Sequence, residues 1–107
     1  MKYDVQFTKD AENDIFGLYE YIKSNDSIDM AEKLIDRLIQ KCSDLDIFPN
    51  RGHILPELEY LQRKDYLEIH YKSYRIIYRI IEKVVFVNCI LDGRRDLNEL
   101  LHKRLLR

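Results

Sequence analysis

Two neighbouring runs of β-branched and aromatic residues constrain the fold of this chain more than any other feature. They span residues 74–81 and 84–91, and a polar pair, Glu82 and Lys83, separates them. Runs of this composition and length, joined by two polar residues, predict an antiparallel hairpin at the centre of a β-sheet. The first run also contains Arg75 and Arg79. Because a small sheet does not need these charges in order to fold, we take them as candidate functional residues.

The N-terminal half predicts a short strand followed by two helices. Apolar and polar residues alternate over residues 3–7, and Thr8 then offers a hydroxyl that can cap a helix. Two apolar stripes at helical spacing follow, with the cap of the second helix expected at Asp26 or Ser27. The first stripe is Ala11, Ile15, Leu18, Tyr19 and Ile22, and the second is Ala31, Leu34, Ile35, Leu38, Cys42 and Leu45. The two helices are therefore expected to form an antiparallel hairpin that packs on the sheet.

The C-terminal half predicts three antiparallel strands and a short helix. Residues 48–58 contain two prolines and a glycine and are expected to form a loop, and a weaker strand follows at about residues 63–70. A last helix is expected over residues 94–104, with Asp92 as its cap. The predicted fold is α+β in the order βααβββα, in a single domain of residues 1–107.

Side-chain alternation divides the strand at residues 74–81 into two faces. One face carries Tyr74, Ile76, Tyr78 and Ile80, and the other carries Arg75, Ile77, Arg79 and Ile81. We expect the first set to lie under the helices and the second set to lie on an open face of the sheet.

Composition limits the class of protein. The first 50 residues carry six Lys or Arg against eleven Asp or Glu, and the remainder carries twelve against eight, so the sheet half is basic. No stretch has the apolar length of a membrane span, and the N-terminus lacks the features of a signal peptide, so we expect a cytoplasmic protein. Cys42 and Cys89 are expected to be reduced and packed. Neither a metal site nor an organic cofactor is predicted.

Four segments, in this order, resemble the RelE/ParE superfamily of toxins from type II toxin-antitoxin systems. They are the first strand with the helix hairpin, the loop at residues 48–58, the strand that begins at Tyr74, and the C-terminal segment at residues 90–105. The resemblance implies a toxin with a cognate antitoxin that folds on binding, over the helix hairpin and the sheet edge. It also allows a homodimer or a heterotetramer with the antitoxin.

Within the superfamily, the C-terminal pattern is more similar to the ParE branch. The similarity lies in Arg95-Asp96, Leu101 and Arg104-Leu105, and in the loop at residues 56–58. This branch implies a toxin that inhibits growth by binding DNA gyrase, with no chemistry of its own. The lysines that RelE carries on a strand correspond here to Tyr66 and Glu68, and its catalytic tyrosine falls near Leu101.

Two alternatives remain open at this point. In a RelE-like ribosome-dependent mRNA endonuclease, Arg75 and Arg95 stabilise charge on the phosphate, while Glu68 and His102 handle protons. In a chain without toxicity, the protein acts only as an antitoxin-binding corepressor.

Residues expected to contact a target or the antitoxin are Arg79, Arg94, Arg104, Tyr66 and Tyr71. Arg75 has a second, structural interpretation, in which it pairs with Glu68 or Asp96 and orders the sheet.

Overall fold

The computed structural model describes residues 2–106 and has the predicted α+β architecture. Its helices and strands are β1 (Asp4–Phe7), α1 (Lys9–Asn25), α2 (Ile28–Ser43), β2 (His53–Ile54), β3 (Tyr66–Tyr71), β4 (Tyr74–Ile81), β5 (Val84–Asp92) and α3 (Asn98–Leu105). Three short 3-10 segments, Asp44–Asp46, Pro49–Arg51 and Pro56–Leu61, lie between α2 and β3. None of the helices within residues 2–106 has the length and apolarity needed to cross a membrane.

The five strands form one sheet in the order β1-β5-β4-β3-β2. The pair β1 and β5 is parallel, and the other three pairs are antiparallel. The strands β4 and β5 form the predicted hairpin, with β4 in the middle of the sheet. The edge strand β2 was not predicted, because two residues between prolines and a glycine are too few to show a period.

Both long helices begin at the predicted caps and bury the predicted stripes. Thr8 Oγ1 accepts a hydrogen bond from the Ala11 amide at 3.2 Å, and Ser27 Oγ accepts one from the Met30 amide at 3.1 Å. Each bond satisfies an amide that has no partner within its helix. The helices pack on β4 and β5 to form the first core, whose buried members are Ala11, Leu38, Cys42, Leu45, Ile76, Tyr78, Val85, Val87 and Ile90.

The prediction that the other sheet face is open is wrong. Ile77 is completely buried in a second core that the helix α3 and the segment Pro56–Leu61 build over this face. Its buried members are Leu55, Leu58, Tyr66, Ile77, Cys89, Leu91, Leu97, Leu101 and Leu105. The sequence did not show this because α3 has only eight residues and local periodicity does not say where a short helix docks.

The helix α3 also begins later than predicted, at Asn98 instead of Arg94. Asp92 does not cap it: its Oδ1 accepts a hydrogen bond from the Arg94 amide at 3.0 Å, which forms a local turn. Asp96 Oδ1 accepts from the Asn98 amide at 3.1 Å. The intervening residues therefore form a turn that carries the chain from β5 across to the second core.

A bulge in β5 lets one strand contribute to both cores. Ile77 pairs with Cys89 and Tyr78 with Val87, so Asn88 has no opposite residue on β4. One extra residue reverses the side-chain alternation beyond it. Val85 and Val87 consequently face the helix hairpin, whereas Cys89 packs in the second core.

Cys42 and Cys89 are both free and buried, one in each core. Burial raises the pKa of each thiol to about 12, so neither forms a thiolate at neutral pH. The two residues behave as small apolar side chains, as the sequence predicted.

Candidate functional site

Arg75, the arginine within the central strand, is clamped by two carboxylates. Its Nε and Nη2 donate to the two oxygens of Glu68 at 2.6 and 3.1 Å. Its Nη1 and Nη2 donate to the two oxygens of Glu57 at 2.6 and 2.8 Å. All three guanidinium nitrogens are thus engaged in charge-assisted bonds, the strong class of hydrogen bond. The prediction that Arg75 pairs with Glu68 is confirmed, and Asp96 is replaced by Glu57.

Strand register and the 3-10 segment position the two carboxylates. His70 lies opposite Arg75 on β4, and Glu68 lies opposite Ile77, so Glu68 is a diagonal neighbour of Arg75 on the same sheet face. Glu57 comes from the segment Pro56–Leu61, which lies over this face. Local sequence pattern does not reveal Glu57 as a partner of Arg75, because the two residues lie 18 positions apart in the chain.

The clamp shifts the pKa values of Glu57 and Arg75. The hydrogen bond from Arg75 lowers the pKa of Glu57, and the bond to Glu57 raises the pKa of Arg75. The Arg75 side chain is 11% exposed and the Glu68 side chain 5% exposed. His70 Nε2 lies 2.9 Å from Glu68 Oε1. One arginine is therefore shared by two carboxylates.

An open cavity of about 380 Å³ lies beside this network. It is lined by Pro56, Glu68, His70, Lys72, Ser73, Arg75, Gly93 and Arg94. Gly93 allows the chain to pass closely over Arg75, since a Cβ there would lie 2.9 Å from Arg75 Cγ and from the Ser73 carbonyl oxygen. The wall of this cavity therefore includes the backbone at Gly93 and the charged side chains of Arg75 and Arg94.

The structure does not bring Arg95 to Arg75. Arg95 is exposed and lines a different cavity of about 430 Å³, which also includes Asn13, Gly17 and Tyr21 of α1. Arg94 is exposed too, and its Nη2 forms an ion pair with Asp92 Oδ2 at 2.7 Å. The two phosphate-stabilising arginines of the nuclease hypothesis therefore lie in separate cavities.

His102 also lies outside the Arg75 network. Its Nδ1 lies 2.7 Å from the Asn98 carbonyl oxygen, so Nδ1 carries the proton and donates it. Nε2 then accepts a hydrogen bond from the Tyr60 hydroxyl at 2.6 Å, and the two rings are stacked with centroids 5.7 Å apart. Of the four candidate catalytic residues, only Arg75 and Glu68 are in contact.

Arg104, expected as a contact residue, is largely buried and ties α3 to the body of the protein. Its Nη1 and Nη2 donate to the two carboxylate oxygens of Asp14, each at 3.1 Å. Nη2 also donates to the Asn88 carbonyl oxygen, at the β5 bulge, at 2.8 Å. With 15% of its side chain exposed, Arg104 is better described as an anchor for α3 than as a residue that meets a partner.

The remaining predicted contact residues differ in accessibility. Tyr66 is only 7% exposed, and its ring lies under the Arg63 and Arg79 guanidinium groups at 5.7 and 5.5 Å. Tyr66 therefore has no free ring face for a nucleic-acid base. Arg79 remains partly exposed, with its Nη1 3.8 Å from Asp65.

Tyr71 lines a third cavity, of about 480 Å³, between the helix hairpin and the sheet. The cavity is lined by Ile22, Asp26, Met30, Lys33, Leu34, Arg37, Tyr71, Lys72 and Tyr74. Its floor is apolar and aromatic, and three of its four charged residues are cations. No group of three or more His, Cys, Asp or Glu side chains within residues 2–106 is arranged to hold a metal ion.

Comparison with known proteins identifies the family. Residues 5–97 match the model of the ParE toxin of the type II toxin-antitoxin system, parDE. No curated protein sequence matches the chain.

Solved structures with the same fold include toxins of three toxin-antitoxin systems. One, from the chromosomal ParDE system of P. aeruginosa, has a TM-score of 0.70 at 14% identity, over 83% of this chain and 94% of that one. One in the RelBE2 toxin-antitoxin complex of Mycobacterium tuberculosis has a TM-score of 0.63 at 20% identity, over 86% and 92%. A free double mutant of the E. coli toxin RelE has a TM-score of 0.55 at 22% identity, over 100% and 98%. Since the family model spans most of the chain, this protein belongs to the ParE toxin family of type II toxin-antitoxin systems.

Proposed function

We propose that this protein inhibits growth by binding a protein target, DNA gyrase, and that it does not cleave RNA. The choice of gyrase rests on the similarity of the C-terminal residues and of the loop at residues 56–58 to the ParE branch. The match to the ParE family model agrees with it. In this proposal residues 1–107 act as one domain, in the cytoplasm.

The double clamp on Arg75 is the observation that carries the proposal. Metal-free cleavage of RNA develops negative charge on the phosphate, which a catalytic cation must meet. Here Glu57 and Glu68 already neutralise Arg75, at 2.6 Å each, and leave the network with excess carboxylate. Arg75 therefore has little positive charge left to offer a phosphate, because two carboxylates already share it.

Glu68 and His102, the residues that the nuclease hypothesis uses for proton transfer, are also poorly placed for that role. Glu68 is 3% exposed and is hydrogen-bonded to Arg75, so it lacks access to a ribose hydroxyl. His102 donates its Nδ1 proton to a carbonyl and accepts from Tyr60. Glu68 and His102 belong to two separate hydrogen-bonded groups, and the polar side-chain atoms of both already have partners.

The cognate antitoxin is proposed to occupy the cavity between the helix hairpin and the sheet. Ile22, Leu34 and Tyr71 give this cavity an apolar floor of the kind that receives a helix from a segment that folds on binding. Lys33, Arg37 and Lys72 at its rim favour a segment with acidic side chains. Tyr71 thereby keeps its proposed contact role.

Inducing the protein without its antitoxin tests the proposed function. We expect DNA replication to fall before translation, transcripts to stay intact, and the purified protein to inhibit supercoiling by gyrase. Translation-dependent cleavage of transcripts would support the RelE-like nuclease instead. Harmless expression at high level would support the corepressor. Unchanged supercoiling at high protein concentration would exclude gyrase as the target.

A further inference from the structure

The connection between α2 and β2 exposes an apolar pair, Ile47 and Phe48, which we call the Phe48 knob. Phe48 is 79% exposed, the highest value among the large hydrophobic side chains exposed within residues 2–106. Ile47 beside it is 44% exposed. Single exposed apolar residues are common, so exposure alone does not mark a binding site.

The backbone of Phe48 is also in an unfavourable conformation. Its φ of 52° and ψ of 55° lie in the left-handed region, which is costly for a residue with a Cβ. It also precedes Pro49, which restricts its conformation further. Three other non-glycine residues of the described chain have positive φ, and all are polar residues at turns or segment ends: Gln62, Lys72 and Glu82. Phe48 alone in this group combines strain with an exposed aromatic ring.

Hydrogen bonds hold the knob in place from both sides. Pro49 is buried, and its carbonyl oxygen accepts from the hydroxyl of the buried Tyr78 at 2.6 Å. Arg51 Nη1 donates to the carbonyl oxygens of Ile47 and Asp44 at 2.9 and 3.2 Å. A side chain presented on a fixed backbone loses little conformational entropy when a partner binds it.

We propose that the Phe48 knob is the anchor by which this protein inserts into an apolar pocket of a folded target protein. The inference rests on the proposed function, in which the toxin acts by binding a protein. Buried aromatic anchors carry much of the binding energy of protein interfaces. Strain concentrates at sites whose geometry serves binding, which gives the unfavourable conformation of Phe48 a role.

The shape of the Phe48 knob favours the target over the antitoxin as its binding partner. A convex, rigid aromatic side chain needs a concave pocket that exists before binding, and a folded protein supplies one. An antitoxin segment that folds on binding lays a helix into a groove, such as the cavity lined by Leu34 and Tyr71. The knob and that cavity thus suit different partners.

The test is Phe48→Asn, because asparagine tolerates the left-handed conformation and removes the aromatic ring. We expect a melting temperature at least equal to that of the wild type and up to about 4 °C higher. We expect the intracellular level needed for half-maximal growth inhibition to rise tenfold or more. Affinity for the cognate antitoxin should stay within about twofold of the wild type, since the variant leaves the groove intact.

Two control variants separate the aromatic ring from the strain. Glu82→Asn places asparagine at a positive φ of 56° in the hairpin between β4 and β5, and we expect it to keep full toxicity. Phe48→Tyr retains a ring and should keep most of the toxicity.

Each contrary result overturns a specific part of the inference. A Phe48→Asn variant as toxic as the wild type overturns the anchor. A melting temperature several degrees lower makes Phe48 a structural residue. If Phe48→Asn loses toxicity and antitoxin affinity to the same extent, the Phe48 knob binds the antitoxin instead of the target. If the wild-type protein does not slow growth, the proposed function is wrong. The assignment of the target as the protein that binds the Phe48 knob is then wrong as well.

Discussion

Arg75 and Arg104 are both largely buried arginines held by carboxylates, yet they stabilise the protein in different ways. Arg75 meets Glu68 of the neighbouring strand β3 and Glu57 of the segment Pro56–Leu61, which lies over the same sheet face. Arg104 meets Asp14 of α1 and the Asn88 carbonyl oxygen of β5, and so joins three elements that are distant in the chain. Its Nε lies 3.6 Å from Asp10 Oδ2, beyond hydrogen-bond distance. The first arginine balances local charge, whereas the second fixes the position of a helix.

Removing Arg75 is expected to have the largest effect. Arg75→Ala leaves the buried Glu68 without its cation, so we expect a loss of about 3 kcal/mol in the free energy of unfolding. Urea unfolding at neutral pH measures this loss. Arg75→Lys, which keeps the charge and loses the planar fork, should recover part of it. A change below about 0.5 kcal/mol in Arg75→Ala would mean that the clamp is not a stabilising unit.

Removing Arg104 is expected to have a smaller but more localised effect. Arg104→Ala loses hydrogen bonds to a carboxylate and a carbonyl, and we expect about 2 kcal/mol of destabilisation. Because Arg104 anchors α3, amide hydrogen exchange should accelerate in residues 98–105 more than in β4. Uniform acceleration through the whole sheet would contradict the anchor role. Arg104→Lys controls for the loss of charge.

Acid should weaken the Arg75 clamp through Glu57. Since the pKa of Glu57 is lowered from 4.5 in the folded protein, its stabilising contribution is present above that value. The contribution is lost as the pH falls through the lower folded pKa. In Glu57→Gln, the free energy of unfolding should therefore decline less between about pH 5 and pH 3 than in the wild type. Parallel pH profiles for the two proteins would show that Glu57 contributes nothing to acid sensitivity.

Removing Arg94 is expected to have the smallest effect. Its side chain is 73% exposed, and its ion pair with Asp92 is open to solvent, where such pairs contribute little. Arg94→Ala should leave the urea midpoint unchanged within error. A clear loss of stability would show that the turn after β5 depends on this pair. If this stable variant also lost toxicity, Arg94 would gain direct support as a contact residue.

Local patterns in the sequence were sufficient for the elements that form within short stretches of chain. The alternation at Tyr74–Ile81, the caps at Thr8 and Ser27, and the two helical stripes all reappear in the structure. Each depends on residues only a few positions apart, so its signal survives without tertiary information.

The features that the sequence did not predict depend on long-range contacts. Arg104 bonds Asp14 across 90 positions, and Arg75 bonds Glu57 across 18. The bulge at Asn88 lies within a nearly continuous apolar run, where alternation gives no warning of it. A sequence therefore shows which residues are charged, but it does not show which distant residues neutralise them.

The parallel pairing of β1 with β5 has a consequence for the order in which this protein is made. Asp4 pairs with Val84, so a residue of the first strand waits for a partner that is synthesised eighty positions later. The helices α1 and α2 are close in the chain and can pair early, whereas the sheet cannot close until β5 has emerged. A nascent chain interrupted before residue 84 therefore lacks the pairing that joins both ends of the fold. The complete sheet therefore forms only after β5 has been translated.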